Sequence, residues 1–222
     1  MPSVEPPPHC LLLDLDGTLA DSLHAMRAAY AAFLCRFGKP ASDGEFASLN
    51  GPPLAEVVRR LQQTHHLPGR LEELIAAYQS VIDAVYADVP AMPGARELLS
   101  AVRVQGWKVG VVTSNSGRRA RQWLERTGLG PLVDFIVAGE DAPRGKPYPD
   151  PYLLALARSG CGRESAIAVE DSPQGVAAAL AAGLITYALQ PADASESSWP
   201  KEAGRLARLE DLIPLLAKPA AR

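Results

Sequence analysis

CLLLDLDGTLADS, residues 10–22, is an apolar run that ends in two aspartates, Asp14 and Asp16, followed by a glycine and turn-forming residues. A short continuous apolar run bounded by turn signals is typical of a strand that is buried on both faces of a sheet. The two carboxylates therefore lie where the predicted strand leaves the sheet. If the backbone turns at Leu15 and Asp16, both can face one point, where they need a cation or a shared proton. The stretch predicts a metal-assisted active site.

Apolar strands alternate with amphipathic helices from Pro93 onward. Together with residues 10–15 they give five predicted strands, the others being residues 107–113, 134–138, 166–170 and 184–189. Such alternation is typical of a parallel sheet with helices on both faces. We therefore predict an α/β fold, a Rossmann-like doubly wound parallel sheet of about five strands. The polar residues 190–205 are predicted to form a loop, and residues 209–216 a last helix.

Residues 22–89 show only helical periodicity, in segments at about 22–37, 45–49, 54–66 and 71–85. We predict that they form an all-helical cap domain inserted into the sheet domain. The core then comprises residues 9–21 and 90–222. The Pro-rich residues 1–8 are predicted to be a flexible tail.

The composition excludes several classes of protein. The chain has 222 residues, a net charge of −3 and 47% hydrophobic residues, which is ample for a large core. Nucleic-acid binding is not expected, because Lys and Arg form no concentrated run. No apolar segment approaches the roughly 20 residues of a membrane span, and the first residues lack a secretory signal pattern. The three cysteines are scattered, which favours reduced thiols in a cytoplasmic protein.

Polar side chains follow four of the predicted strands. In chain order they are Asp14, Asp16, Thr113, Ser114, Asn115, Lys146, Glu170, Asp171 and Ser172. Each group alone has an ordinary explanation as a turn, a helix cap or a solvated charge. Ligands of open α/β sheets bind at the carboxyl ends of the strands, however, and all of these groups are expected at that edge. Their coincidence predicts a binding site.

Carboxylates and a lysine at one edge suit phosphoryl-transfer chemistry. Mg²⁺ prefers oxygen ligands and binds through a few carboxylates, waters and a substrate phosphate. Lys146, Thr113 and the amides at the start of the following helix can hold a phosphate dianion. A carboxylate can attack phosphorus and form an aspartyl-phosphate, while the metal and Lys146 offset the repulsion between the two anions.

The order of these motifs resembles that of the haloacid dehalogenase superfamily, in particular its magnesium-dependent phosphatases with a small helical cap. The motifs are D-x-D-G-T at residues 14–18, Thr113 at a strand end, K-P-Y-P-D at residues 146–150, and the acidic pair Glu170–Asp171. The resemblance covers residues 10–189. It implies that residues 22–89 close over the site and carry substrate selectivity.

The resemblance also implies a role for each acidic residue. Asp14 is the nucleophile and a metal ligand. Asp16 is the general acid and base, and its backbone carbonyl binds the metal. Asp171 binds Mg²⁺, and Glu170 supports the metal through water.

The substrate-binding positions are implied in the same way. They are Thr113 and Lys146 for the transferring phosphoryl group, with Ser114 and Asn115 in support, and Gly51 and Pro52 in the cap. The loop at residues 50–53 is either a specificity loop, because prolines rigidify a turn that can face the site, or a plain connector between helices. Arg118 and Arg119 are expected to be exposed on a helix, and contact with an anionic leaving group is the alternative.

Several branches of the superfamily are compatible with the fold. Asp16 argues against haloacid dehalogenases and phosphonatases, which lack an aspartate at this position. β-Phosphoglucomutases carry a His and an Arg in the cap, where this chain has Met26 and Leu54. Phosphoglycolate-type phosphatases commonly carry a cap loop like GPPL, which is the sequence of residues 51–54.

The resemblance therefore implies a phosphoric monoester hydrolase of phosphoglycolate-phosphatase type. A phosphomutase is the alternative, and a non-catalytic regulatory protein is less favoured. The expected partner is a small phosphate ester, without nucleic acid or membrane, and the chain is expected to be a monomer or a weak homodimer.

Overall fold

A parallel sheet forms the centre of the molecule. The computed structural model describes residues 9–49, 52–190 and 199–216. Within these residues the strands are β1 (Cys10–Leu13), β2 (Lys108–Val112), β3 (Phe135–Val137), β4 (Ala166–Glu170), β5 (Ile185–Leu189) and β6 (Gly204–Leu206). They form one sheet in the order β3-β2-β1-β4-β5-β6, in which every neighbouring pair is parallel. The prediction of a doubly wound α/β fold is confirmed.

The strand at the edge, β6, corrects the sequence prediction. We predicted about five strands and a loop at residues 190–205, whereas the described sheet has six strands. β6 pairs with β5 through Tyr187 opposite Gly204 and Leu189 opposite Leu206. It is three residues long, and only Leu206 is buried. Such a short edge strand is held by its backbone pairing and leaves no periodic pattern in the sequence.

Helices cover both faces of the sheet. They are α1 (Leu23–Cys35), α2 (Asp43–Ser48), α3 (Leu54–His65), α4 (Leu71–Tyr86), α5 (Ala95–Val104), α6 (Gly117–Thr127), α7 (Asp150–Ser159), α8 (Pro173–Ala181) and α9 (Ile213–Leu216). Leu11 and Leu13 of β1 belong to one buried apolar cluster, and Cys10 and Leu12 belong to the other. Alternate residues of a strand point to opposite faces, so β1 is buried from both sides. Within the described residues, no helix is both long and apolar enough to cross a bilayer.

The helices α1 to α4 lie between β1 and α5 and pack on one another. The rings of Phe33 in α1 and Tyr78 in α4 stack with their centroids 4.7 Å apart. The chain enters and leaves this segment at one place, where the amide of Asp21 donates to the carbonyl of Pro90 at 3.0 Å. Residues 20 and 91 also form an antiparallel bridge there. The helical segment is therefore joined to the sheet by two connections that lie side by side.

The order of the strands places a switch point between β1 and β4. The chain winds from β1 to β2 and β3 on one side, and to β4, β5 and β6 on the other. Crevices for ligands form in such sheets outside the carboxyl ends of the strands at this point. Asp14 follows β1 and Asp171 follows β4, so the two acidic motifs flank the switch point.

Candidate active site

The ends of β1, β2 and β4 bring the predicted residues together. The amide of Asp14 continues the ladder and donates to the carbonyl of Val169 in β4 at 3.0 Å. The amide of Thr113 donates to the carbonyl of Val137 in β3 at 2.9 Å. These backbone bonds fix where the side chains of Asp14 and Thr113 leave the sheet.

A buried lysine lies against two of the carboxylates. Lys146 Nζ is 2.5 Å from Asp14 Oδ1 and 2.5 Å from Glu170 Oε1, and it donates to the carbonyl of Val112 at 2.9 Å. An ammonium group has three N–H donors, so these three acceptors can satisfy it completely. Lys146 is 3% exposed, so its charge is held in place beside the carboxylate that we expect to attack phosphorus.

Glu170 is fixed from several sides. It is completely buried, and its Oε1 also accepts a hydrogen bond from the hydroxyl of Tyr152 at 2.6 Å. Its Oε2 accepts from the hydroxyl of Ser172 at 3.3 Å. The contact of Glu170 with Lys146 supports an indirect role for this carboxylate, although its predicted role in metal binding stays a prediction. Tyr152 lies on the buried face of α7, where its sequence pattern does not distinguish it from an ordinary core residue.

The acidic cluster fits a divalent cation. Asp14, Glu170 and Asp171 each offer a carboxylate oxygen, and these oxygens lie within 4.8 Å of one another. Lys146 lies against Asp14 and Glu170, and a divalent cation would compensate the negative charge that the three carboxylates bring together. The donor set consists of hard oxygen atoms, which Mg²⁺ prefers.

The pKa shifts of Asp14 and Lys146 reflect their burial and the acidic groups around them. Burial raises the pKa of the Asp14 carboxyl well above its ordinary value; Lys146 opposes this rise, whereas Glu170 and Asp171 add to it. Burial alone would lower the pKa of Lys146, but Asp14 and Glu170 outweigh burial and raise it, so the lysine stays charged. A cation bound at the cluster would favour the ionised form of Asp14.

The glycine of the first motif is required by the position of Asp171. Gly17 has φ = 84°, in the left-handed region that disfavours residues with a Cβ. A Cβ at Gly17 would overlap the carboxylate of Asp171. The D-x-D-G-T motif therefore lets the turn after β1 approach the acidic residue that follows β4.

The carboxylate of Asp16 is held by two side chains. Its Oδ1 accepts from the hydroxyl of Tyr86 at 2.8 Å, and its Oδ2 accepts from the amide nitrogen of Asn115 at 3.0 Å. Burial and the nearby Asp16 carboxylate raise the pKa of Tyr86 far above its ordinary value, so the phenol remains a donor. Tyr86 ends the buried face of α4, and its position in the sequence does not mark it as a site residue. The predicted contact of the Asp16 carbonyl with a metal stays a prediction.

A cavity of about 390 Å³ lies over these groups. From the sheet side it is lined by Asp14, Asp16, Thr113, Ser114, Asn115, Ser116, Arg119, Gly139, Glu140, Lys146, Asp171 and Ser172. From the helical segment it is lined by Leu23, Met26, Phe46, Leu49, Pro52, Pro53, Leu54, Ala55, Val57, Ile75, Tyr78, Gln79 and Ile82. The cavity therefore has a charged floor and a largely apolar roof.

The residues predicted to bind phosphate lie on this floor. Thr113 is buried, and its hydroxyl accepts the amide of Asn115 at 3.0 Å, which shapes the turn after β2. Ser114 lines the cavity beside them. Of the predicted cap residues, Pro52 lines the cavity and Gly51 lies outside the described residues.

The loop that carries Lys146 touches the helical segment. A Cβ at Gly145 would lie 2.7 Å from Cγ of Pro53, which directly precedes α3. Pro53 and the neighbouring Lys146 both line the cavity.

Residues 11–189 match the family model of the haloacid dehalogenase-like hydrolases. The chain belongs to this family. The matched range contains all four motifs, from Asp14 to Asp171, and it confirms the resemblance on which the sequence analysis relied.

Relatives of this haloacid dehalogenase-like hydrolase include named phosphatases. Hexitol phosphatase A of Escherichia coli (strain K12) is 36% identical over 187 residues, which are 82% of this chain and 83% of the relative. "Phosphoglycolate phosphatase, plasmid" of Cupriavidus necator is 32% identical over 190 residues, which are 83% of this chain and 81% of the relative. The crystal structure of CbbY from Rhodobacter sphaeroides in complex with phosphate is 25% identical, with a TM-score of 0.79 and coverage of 92% of this chain and 96% of that chain.

One expectation for this haloacid dehalogenase-like hydrolase is wrong. We expected Arg118 and Arg119 to be exposed on a helix, and Arg118 is, with a side chain that is 54% exposed. Arg119 is 5% exposed and lines the cavity. Its guanidinium lies between Asp83 of α4 and Asn115, a tertiary contact that helical periodicity does not reveal.

Proposed function

We propose that this chain is a magnesium-dependent phosphomonoester hydrolase that acts on a small phosphorylated metabolite through an aspartyl-phosphate on Asp14. The observation that carries this proposal is the buried pair of Asp14 and Lys146 on the floor of the cavity, next to Asp171. The relatives named as phosphatases support the same class of reaction.

The residues divide the reaction between them. Asp14 attacks the phosphorus, and Lys146 offsets the repulsion between the carboxylate and the phosphate. Asp16 gives its proton to the leaving oxygen and later takes a proton from the water that hydrolyses the aspartyl-phosphate. Asp14, Asp171 and the carbonyl of Asp16 would hold Mg²⁺, which supplies positive charge against the phosphate oxygens when bound.

The roof of the cavity favours an uncharged leaving group. Among the described residues, those of the helical segment that line the cavity include no charged side chain, and Gln79 and Tyr78 carry the polar groups. A second anionic group, such as the carboxylate of 2-phosphoglycolate, would be desolvated there without a cationic partner in the roof. We therefore favour the phosphate ester of a neutral alcohol or sugar over phosphoglycolate.

The same roof disfavours the phosphomutase alternative. Met26 and Leu54 stand at the positions for which the mutase resemblance requires His and Arg, and both line the cavity. Neither side chain can donate a hydrogen bond to a sugar hydroxyl, which a mutase must hold while the sugar phosphate reorients. Hydrolysis is therefore the favoured outcome.

A phosphate-release assay tests the proposal. Across a panel of phosphate esters, the purified protein with Mg²⁺ is expected to release phosphate from sugar phosphates and polyol phosphates faster than from 2-phosphoglycolate, without forming sugar-phosphate isomers. Asp14→Asn should lower kcat by more than about 10³-fold, because an amide is no nucleophile. Asp21→Asn is the matched control, since Asp21 is exposed outside the cavity.

Three results would contradict the proposal: an Asp14→Asn variant within about tenfold of the wild type, turnover that persists in EDTA, or no hydrolysis of any ester in the panel. Formation of isomers instead of phosphate would favour the mutase.

A further inference from the structure

Asn115 has a defined orientation in the contact with Asp16. Its Oδ1 accepts the amide of Ser116 at 2.9 Å and also an N–H of Arg119. Both of these partners are donors, so the carbonyl side of the Asn115 amide must face them. The amide nitrogen is thereby turned towards Oδ2 of Asp16.

Arg119 is in turn fixed by a residue of the helical segment. Its Nε and Nη2 lie 2.8 Å and 2.6 Å from Oδ1 of Asp83, which belongs to α4. Arg118 binds the other oxygen of Asp83 at 2.9 Å. Hydrogen bonds between ionised partners are shorter and stronger than neutral ones, and the side chain of Arg119 is almost completely buried. Asp83 therefore holds Arg119, and Arg119 holds Asn115.

Two side chains on one face of α4 help to hold Asp16, one directly and one through other residues. Asp83 and Tyr86 are three residues apart, so they lie on the same face of the helix. Tyr86 contacts Asp16 directly, and Asp83 reaches it through Arg119 and Asn115. The guanidinium of Arg119 also lies over the ring of Tyr86, 5.8 Å from its centroid.

We propose that Tyr86, together with Arg119 and its anchor Asp83, positions the carboxylate of Asp16 for proton transfer to the leaving oxygen. These residues act through Asp16 and are positioning residues. The inference rests on the proposed function, in which Asp16 is the general acid. A network that only attached α4 to the sheet would stabilise the fold but would not affect proton delivery.

The leaving group distinguishes the two roles. An alcohol such as glycerol needs a proton as the ester bond breaks, whereas p-nitrophenolate leaves readily without one. A misplaced acid therefore lowers kcat/KM for glycerol 2-phosphate and spares p-nitrophenyl phosphate. The value of kcat/KM reports only the steps up to release of the alcohol, so the later hydrolysis of the aspartyl-phosphate does not affect it.

The experiment compares the two esters in Tyr86→Phe and Arg119→Lys. Tyr86→Phe removes one hydroxyl and keeps the ring. It is expected to lower kcat/KM for glycerol 2-phosphate by about tenfold or more, and for p-nitrophenyl phosphate by less than about threefold. Arg119→Lys keeps the positive charge but loses the planar guanidinium group. It is expected to lower kcat/KM for glycerol 2-phosphate by a smaller factor than Tyr86→Phe does, and again to affect p-nitrophenyl phosphate less. Tyr187→Phe, on β5 outside the cavity, is the matched control and should leave both values unchanged.

The inference would be overturned if Tyr86→Phe lowered kcat/KM by the same factor for both esters, or lowered it for neither. Asp16→Asn separates this failure from failure of the proposed function. If Asp16→Asn keeps the wild-type ratio between the esters, the acid role itself is wrong. If Asp16→Asn is selective and Tyr86→Phe is not, only the positioning role is wrong. Thermal denaturation checks the fold of each variant, and Arg119→Lys decides the question if Tyr86→Phe does not fold.

Discussion

Replacing Gly17 by Ala tests how the turn after β1 serves the acidic cluster. Gly17 has φ = 84°, and placing an L-residue in this region costs about 1–2 kcal/mol. For a chain of 222 residues this cost lowers Tm by about 2–8 °C. The added methyl group also occupies the place of the Asp171 carboxylate, which must move out of the cluster.

The displacement of Asp171 has an effect beyond stability. If Asp171 is a metal ligand, the Mg²⁺ concentration that gives half-maximal phosphate release should rise by about tenfold or more in Gly17→Ala, as for the loss of a group that orients or binds a metal. The measurement is a Mg²⁺ titration of phosphate release, made together with thermal denaturation.

Gly38→Ala is the matched control for the backbone cost. Gly38 has φ = 64°, and a Cβ there would have no heavy atom within 4 Å. It should therefore lose a similar amount of stability and keep the wild-type Mg²⁺ requirement. A Gly17→Ala variant whose Mg²⁺ titration matched that of Gly38→Ala would refute the argument that Gly17 makes room for a ligand.

Three further changes probe the floor, the roof and the anchor. Lys146→Met should abolish turnover and lower the free energy of unfolding by about 3–5 kcal/mol, because it leaves the carboxylates of Asp14 and Glu170 buried without their cation; denaturant unfolding measures this loss, and an unchanged midpoint would contradict it. Leu54→Arg adds a cation to the roof and should raise kcat/KM for 2-phosphoglycolate relative to glycerol 2-phosphate several-fold; an unchanged ratio would show that the roof does not select. The third change concerns Asp83, whose pKa lies below its ordinary value. Partial burial raises this pKa, but hydrogen bonds from the two neighbouring arginines outweigh burial and lower it. The ionised Asp83 therefore stabilises the fold at neutral pH, and this contribution is lost as the pH falls through the lowered pKa. The difference in Tm between wild type and Asp83→Asn should shrink between pH 7 and about pH 3. A constant difference would contradict the ion pair.

The floor of the cavity could be predicted from sequence because its residues follow strand ends. Parallel strands meet at one edge, so a local pattern such as the two aspartates after β1 already determines where they lie. Lys146 is 132 residues from Asp14 along the chain, yet both positions were recognisable from their own motifs.

The connections between the helical segment and the sheet could not be predicted in this way. Tyr86 contacts Asp16 across 70 residues, and it follows Tyr78 and Ile82 at intervals of four, which is the pattern of any buried helix face. Arg119 looks like an ordinary exposed helix residue until α4 packs against it. Such contacts form only when two elements pack against each other, and the sequence of either element alone does not indicate them.

The side-by-side connections at residues 20 and 91 have a consequence for exchanging the helical segment. The amide of Met92 donates to the carbonyl of Leu19 at 2.7 Å, so the two stretches of chain that flank the helical segment are bonded to each other. Enlarging a loop closed in this way from about ten to about seventy residues costs only about 2 kcal/mol in chain entropy. A chimera that carries a foreign helical segment at this junction would therefore retain Asp14 and Lys146 but lose Tyr86. Such chimeras would separate transfer of the phosphoryl group from delivery of the proton.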